Sequence, residues 1–133
     1  MSGAKRWQAG EQYVQELYGS AGQGHFAIPA AEVGGETIVG AGGRFVDAPV
    51  ATGDGGTLAN EVKTYKQWTT VDGQPVQNTV PLSSQIKQQV LKDSWLQQNL
   101  SGYRPNWIFL DAPPSPELAQ YLTKQNIPYV IHH

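Results

Sequence analysis

The stretch Trp107-Ile108-Phe109-Leu110 restricts the fold most. Four consecutive apolar side chains leave no polar face, whereas a half-buried strand alternates. A short strand without alternation is buried on both faces, as in the interior of an α/β sheet. Pro113-Pro114 ends the run. Ser115 then reads as an N-cap, with Pro116 at the first helical position and Glu117 in the first turn. The helix is expected to reach about Gln125, and Tyr129-Val130-Ile131 is the next strand. Strand, helix and strand at this spacing make a βαβ unit.

Upstream, the spacing of Leu82, Ile86, Val90, Leu96 and Leu100 predicts a helix over 83–100, capped by Ser83 or Ser84 and ended by Gly102. Gln85, Gln89 and Lys92 form a polar stripe along it. Residues 7–18 also read as a helix, stopped at Gly19. Glu11 lies at the margin of its apolar arc and Glu16 on the opposite face. Between these helices, 36–40, 44–50 and 58–68 read as three strands in an antiparallel meander, with turns at 41–43 and 52–56. Asp72-Gly73 marks a further turn, and Pro75 and Pro81 bracket an irregular segment. The order predicts one α/β domain over 1–133, with its core over about 7–131. Its framework is of αβββαβ type, a mixed central sheet flanked by helices.

Composition narrows the class. The chain has 133 residues, enough for one real core, and is 39% hydrophobic and 15% charged. No apolar run approaches the roughly 18 residues of a membrane span, and no export leader is read at the start. With no cysteine, disulfides and thiolate metal sites are excluded. His132-His133 carry no functional weight, since they match the start of an affinity tag. The formal net charge is −2. A nucleic-acid partner must then be met by local charge and a bound metal rather than by a basic surface.

The chemistry is concentrated in Asn60-Glu61-Val62-Lys63-Thr64-Tyr65. On a strand Glu61 and Lys63 point to the same side, about 7 Å apart. Asp47, on the expected neighbouring strand, supplies a second acid. Two carboxylates suit a hard divalent cation such as Mg²⁺ or Mn²⁺, and an adjacent ammonium suits a phosphate. The Val62 carbonyl is a further candidate ligand. Lys66, Lys87 and Lys92 are candidates for lining a nucleic-acid groove, and His25 is a weaker candidate base. For the charged side chains an exposed, solvated surface role is the competing reading, and for His25 a structural one.

The set Ala9-Gly10-Glu11, Arg44-Phe45-Val46-Asp47 and Glu61-Val62-Lys63, in this order on helix, strand and strand, resembles the PD-(D/E)xK nuclease superfamily. The resemblance spans about residues 9–111 and implies a restriction-endonuclease-like fold. It implies Glu11, Asp47, Glu61 and Lys63 as catalytic residues, with Glu11, Asp47 and Glu61 as ligands of Mg²⁺ or Mn²⁺. Arg44, Gln85 and Lys66 are the candidate substrate contacts. Within the superfamily the chain is similar to the C-terminal toxin domains of contact-dependent inhibition and other polymorphic toxin systems. That similarity implies a nuclease delivered as the C-terminal part of a larger secreted or surface protein. It would act in the cytoplasm of a target bacterial cell on tRNA or DNA, and a cognate immunity protein would block it. A repair or recombination nuclease of the same fold, and a non-catalytic binding module, are the competing functions.

Overall fold

The computed structural model describes residues 24–29, 31–38, 43–66 and 68–132. The helix expected over 7–18, and Glu11 with it, lies outside the described residues. The described chain is a small α/β domain with a mixed sheet and two helices. Ten strands run in order: β1 Gly24–Phe26, β2 Glu32–Val33, β3 Glu36–Thr37, β4 Arg44–Val46, β5 Ala48–Ala51, β6 Thr57–Tyr65, β7 Trp68–Val71, β8 Gln74–Gln77, β9 Tyr103–Asp111 and β10 Tyr129–His132. Helix α1, Ser84–Asn99, separates β8 from β9, and helix α2, Pro116–Lys124, separates β9 from β10.

The central sheet has the order β10-β9-β6-β5. β6 and β10 run parallel to β9, and β5 runs antiparallel to β6. Both parallel steps move outward in the same direction, so crossovers of one hand place α1 and α2 on the same face. Packing agrees: Ala59, Tyr103, Trp107 and Phe109 of that face share one core with Ile86, Val90, Leu91 and Leu96 of α1 and Leu118 and Leu122 of α2. The alternate residues Ala48, Val62 and Ile108 form a second buried cluster, against which Leu110 packs. Trp107, Ile108 and Phe109 are fully buried, so the run is covered on both faces as its lack of alternation predicts.

Both prolines of the central sheet sit where no ladder bond is lost. Pro49 lies opposite Ala59, between the pairs Ala48–Asn60 and Val50–Leu58, on the outermost strand. Pro105 precedes the stretch of β9 that β10 covers, which starts at Trp107. A missing N–H is tolerated at such edges. The helix caps follow the sequence. Ser83 accepts from the Ile86 N–H and Ser115 from the Leu118 N–H, each at 3.2 Å.

The expected meander is corrected in three places. Glu36–Thr37 pairs with Glu32–Val33, not with the 44–50 segment. That segment is two strands broken at Asp47; β4 pairs with β1, and only β5 joins β6. The third strand ends at Tyr65, and Trp68–Val71 instead forms a hairpin with Gln74–Gln77. Its turn residues Asp72 and Gly73 have φ of 51° and 76°, the signature of a type I′ connection. Every described residue of the hairpin strands is exposed, so no buried face imposes a pattern there. His132 pairs with Leu110 at the end of β10, and His133 lies outside the described residues. Among the described residues no helix is long and apolar enough to cross a membrane.

One backbone contact sets the register of the two long strands. The Gly102 carbonyl, on a residue at φ 79°, accepts the Thr57 N–H at 2.9 Å. A Cβ on Gly102 would meet the Gly56 Cα at 2.7 Å. Gly102→Ala is therefore expected to cost about 1–3 kcal/mol through combined strain and contact. Urea unfolding should show a lower midpoint at unchanged slope, and an unchanged midpoint would contradict this account of the register.

Candidate active site

The helix-bearing face of β6 carries Ala59, Glu61 and Lys63, opposite Pro105, Trp107 and Phe109 of β9. Ala59 is absorbed into the core. Glu61 and Lys63 come next along the strand, near where α1 begins, and they face a cleft of about 620 Å³. Asp47 and the Gly43–Phe45 segment form one wall, and Gln85, Gln88, Gln89 and Lys92 of α1 form the other.

Asp47 reaches the cleft because it interrupts a strand. It occupies the bend between β4 and β5. The β5–β6 ladder ends at the pair Ala48–Asn60, so Val62 finds no main-chain partner from β5. The Asp47 side chain takes that place: its Oδ2 accepts the Val62 N–H at 2.9 Å. The carboxylate thus lies against the peptide joining Glu61 to Val62. Within a strand, a residue's N–H and C=O point to the same neighbour. The Val62 carbonyl therefore faces the side on which Asp47 sits.

Glu61 is held by two cations. Arg44 Nη2 donates to its Oε1 at 2.9 Å, and Lys63 Nζ lies 2.8 Å from its Oε2. Burial pushes the Glu61 carboxyl up, but the charges and hydrogen bonds of Arg44 and Lys63 outweigh it and hold the group below the usual carboxylate range. Arg44 is itself clamped from behind. Its Nε and Nη2 donate to Asp93 at 3.0 and 3.3 Å, and Nη1 donates to the Phe45 carbonyl. Burial disfavours the guanidinium charge, and Asp93 and Glu61 more than restore it, so Arg44 stays protonated at every relevant pH. Asp93 also accepts the Tyr103 hydroxyl at 2.7 Å and the Trp107 indole N–H at 2.8 Å. Burial, with Asp93 next to it, raises the Tyr103 phenol far above its ordinary value. Arg44, Asp47, Glu61 and Asp93 expose 3%, 5%, 3% and 1% of their surface. An acid–arginine–acid chain this deeply buried is kept together by mutual pairing, because any member alone would be an uncompensated interior charge.

The structure brings Asp47, Glu61 and Lys63 into one cleft, as the motif spacing predicts. Arg44 borders that cleft, but its donors are aimed inward at Asp93, Glu61 and the Phe45 carbonyl. Gln85 lines the cleft with an exposed side chain. Lys66 follows the end of β6 and is not among the lining residues. Lys87 turns away to Glu36 and lies 5.7 Å from the Tyr121 ring centroid. Lys92 lines the cleft and makes no ion pair among the described residues. His25 pairs with Phe45 across β1 and β4, with ring centroids 4.5 Å apart.

Two members of the arrangement carry no role in the sequence reading. Asp93 is one; its signal was an acid in the apolar phase of a helix, three residues after Val90 and three before Leu96. The other is Gln89, whose Oε1 accepts from Lys63 Nζ at 2.6 Å. It stands in the polar stripe, but only the structure gives it a partner.

The donor set fits a hard cation. Asp47 and Glu61 offer carboxylate oxygens beside the Val62 carbonyl, and Mg²⁺ typically takes one or two carboxylates while keeping several waters. Among the described residues no group of three or more histidine, aspartate or glutamate side chains gathers at metal-ligand spacing. The chain matches no family model, no curated protein and no solved structure.

The lowered pKa of Glu61 has a consequence for acid stability. The unfolded carboxyl titrates at about 4.3. Above that value the ionised, paired Glu61 contributes its full stabilisation, which is lost as pH falls through the lower folded value. Glu61→Gln is expected to flatten the decline in unfolding free energy below about pH 4. Unfolding curves taken from pH 6 downward measure it, and an acid limb as steep as in the wild type would contradict the pairing.

Proposed function

We propose that this chain is a metal-dependent nuclease of restriction-endonuclease-like type that hydrolyses phosphodiester bonds. The observation that carries the reading is the convergence of Asp47, Glu61 and Lys63 in one cleft at the junction of β5 and β6. Phosphodiester hydrolysis needs a deprotonated water, stabilisation of the charge on phosphorus oxygens and an accommodated leaving oxygen. A bound divalent cation supplies Lewis-acid polarisation and lowers the pKa of the attacking water.

The protein's own groups divide the remaining work. Asp47 and Glu61, with the Val62 carbonyl, would hold the cation, and Glu11 is a proposed further ligand from outside the described residues. Lys63 orients the attacking water and offsets phosphate charge. Arg44 acts through Glu61: anchored by Asp93, it keeps that carboxylate ionised and aimed. Lys92, across the cleft and without an ion pair among the described residues, is placed for a neighbouring phosphate. Gln85 offers an amide to the substrate backbone.

The substrate reading favours tRNA over DNA. A formal net charge of −2 gives little long-range attraction to a duplex, whose binding depends on many phosphate contacts. A cleft of about 620 Å³ suits a short unpaired segment better than a double helix. The resemblance to polymorphic toxin domains supports a role in a target bacterial cell, with an immunity protein as partner.

The test is incubation of the purified protein with end-labelled tRNA and with supercoiled plasmid, in Mg²⁺ or EDTA, beside Asp47→Ala and Lys63→Ala. Cleavage of tRNA is expected in Mg²⁺ and not in EDTA, with at least a roughly 100-fold loss in each variant. Metal-independent cleavage, or full activity in both variants, would sink the mechanism. Cleavage of plasmid alone would overturn the tRNA preference.

A further inference from the structure

Both carboxylate oxygens of Glu61 are taken by cations of the protein itself. Oε1 belongs to Arg44 and Oε2 to Lys63. A divalent cation needs one of these oxygens, and the two cations differ in how readily they release it. The Arg44 guanidinium is fixed at Nε and Nη2 by the buried Asp93 and at Nη1 by the Phe45 carbonyl, so moving it breaks its pairing with Asp93. Lys63 has a flexible stem, and its Nζ already touches a second acceptor, Gln89 Oε1, at 2.6 Å. The ammonium also lies 5.3 Å from the centroid of the Trp107 ring, a face that attracts cations.

We propose that Gln89 is a positioning residue that holds Lys63 when Glu61 Oε2 is handed from the ammonium to the metal. The inference rests on the reading of the cleft as a metal-dependent nuclease site. Lys63 pairs with an oxygen that a bound metal would use, so the ammonium and the metal would compete for Glu61. A lysine stripped of that partner in a largely buried position would otherwise lack an acceptor, which carries a desolvation cost. Gln89 removes that cost. It also keeps Nζ beside the cleft, where a water or phosphate can take the contact that Glu61 gives up. Gln89 is neutral, so it holds the ammonium without adding a carboxylate that would itself draw the metal. It sits on α1 one helical turn before Asp93, the anchor of Arg44, so one helix fixes both cations.

Three variants separate this role from a structural one: Lys63→Met, Gln89→Ala and the two combined. The readout is direct Mn²⁺ titration by electron paramagnetic resonance, with folding checked by circular dichroism. Lys63→Met removes the competitor and should tighten Mn²⁺ binding roughly tenfold, while Gln89→Ala should weaken it severalfold. In the double variant the Gln89 effect should vanish, leaving the affinity of Lys63→Met, because Gln89 acts only through Lys63. A Gln89 effect of equal size with and without Lys63, or no effect in the single variant, would overturn the inference while leaving the metal site intact. Mn²⁺ binding that is absent in the wild type, or unchanged in Asp47→Ala, would instead remove the nuclease reading and this inference with it. Should Lys63→Met not fold, Lys63→Gln takes its place in the same cycle, with the same outcomes.

Discussion

The site depends on one buried guanidinium. Arg44 lies between Glu61 and Asp93, with less than a twentieth of its surface exposed. Removing it would leave Asp93 with no counter-charge and Glu61 with Lys63 alone, and breaking a buried pair costs about 3–5 kcal/mol in comparable cases. Against the upward push of burial, the same placement, together with Lys63, holds the Glu61 carboxyl below its ordinary range. Arg44 thus binds the sheet, through Glu61 on β6, to the helix layer, through Asp93 on α1. It also holds a carboxylate in the ionised state that the proposed metal binding requires. Tyr103 and Trp107 complete the shell of Asp93, so the long strand β9 is tied into the same cluster.

The topology explains why the candidate site lies at this corner. β6 is flanked by β9 along its whole length but by β5 only as far as Asn60. Beyond that pair no described strand flanks β6 on the β5 side, and the Asp47 carboxylate accepts the Val62 N–H there. A side chain standing in for a strand does two things. It satisfies a main-chain donor that would otherwise be orphaned, and it holds a carboxylate beside Glu61. The helices lie on the face to which Glu61 and Lys63 point, so Gln89 and Lys92 arrive from the opposite wall.

Much of this was legible in the residues. The two-residue period of a strand places Glu61 and Lys63 together, and the apolar run at 107–110 fixes an interior strand followed by a βαβ step. The caps at Ser83 and Ser115 follow from residue type and position. Asp47 was legible as a partner of Glu61, although through a break in the strand rather than through the ladder. The break itself left no mark, because Val46 and Ala48 continue an ordinary strand composition on either side of Asp47. The exposed hairpin was obscured for a related reason: with neither face buried, its strands carry no alternation, and Pro75 reads as a breaker. Arg44 and Asp93 were hidden by their own pairing. A charged residue at a core position is recognisable only when its counter-charge, 49 residues away, is known to meet it.

In the proposed site Asp47 and Glu61 share a metal, with Arg44 as the fixed cation and Lys63 as the mobile one. A crystal structure of the protein soaked in Mn²⁺, with anomalous diffraction data, tests it most directly. An anomalous peak is expected about 2.1–2.3 Å from one oxygen each of Asp47 and Glu61, with Lys63 Nζ withdrawn from Glu61 onto Gln89 and Arg44 unmoved. A peak away from both carboxylates, or Asp47 and Glu61 carboxylates more than about 8 Å apart, too far to share an ion at such ligand distances, would contradict it.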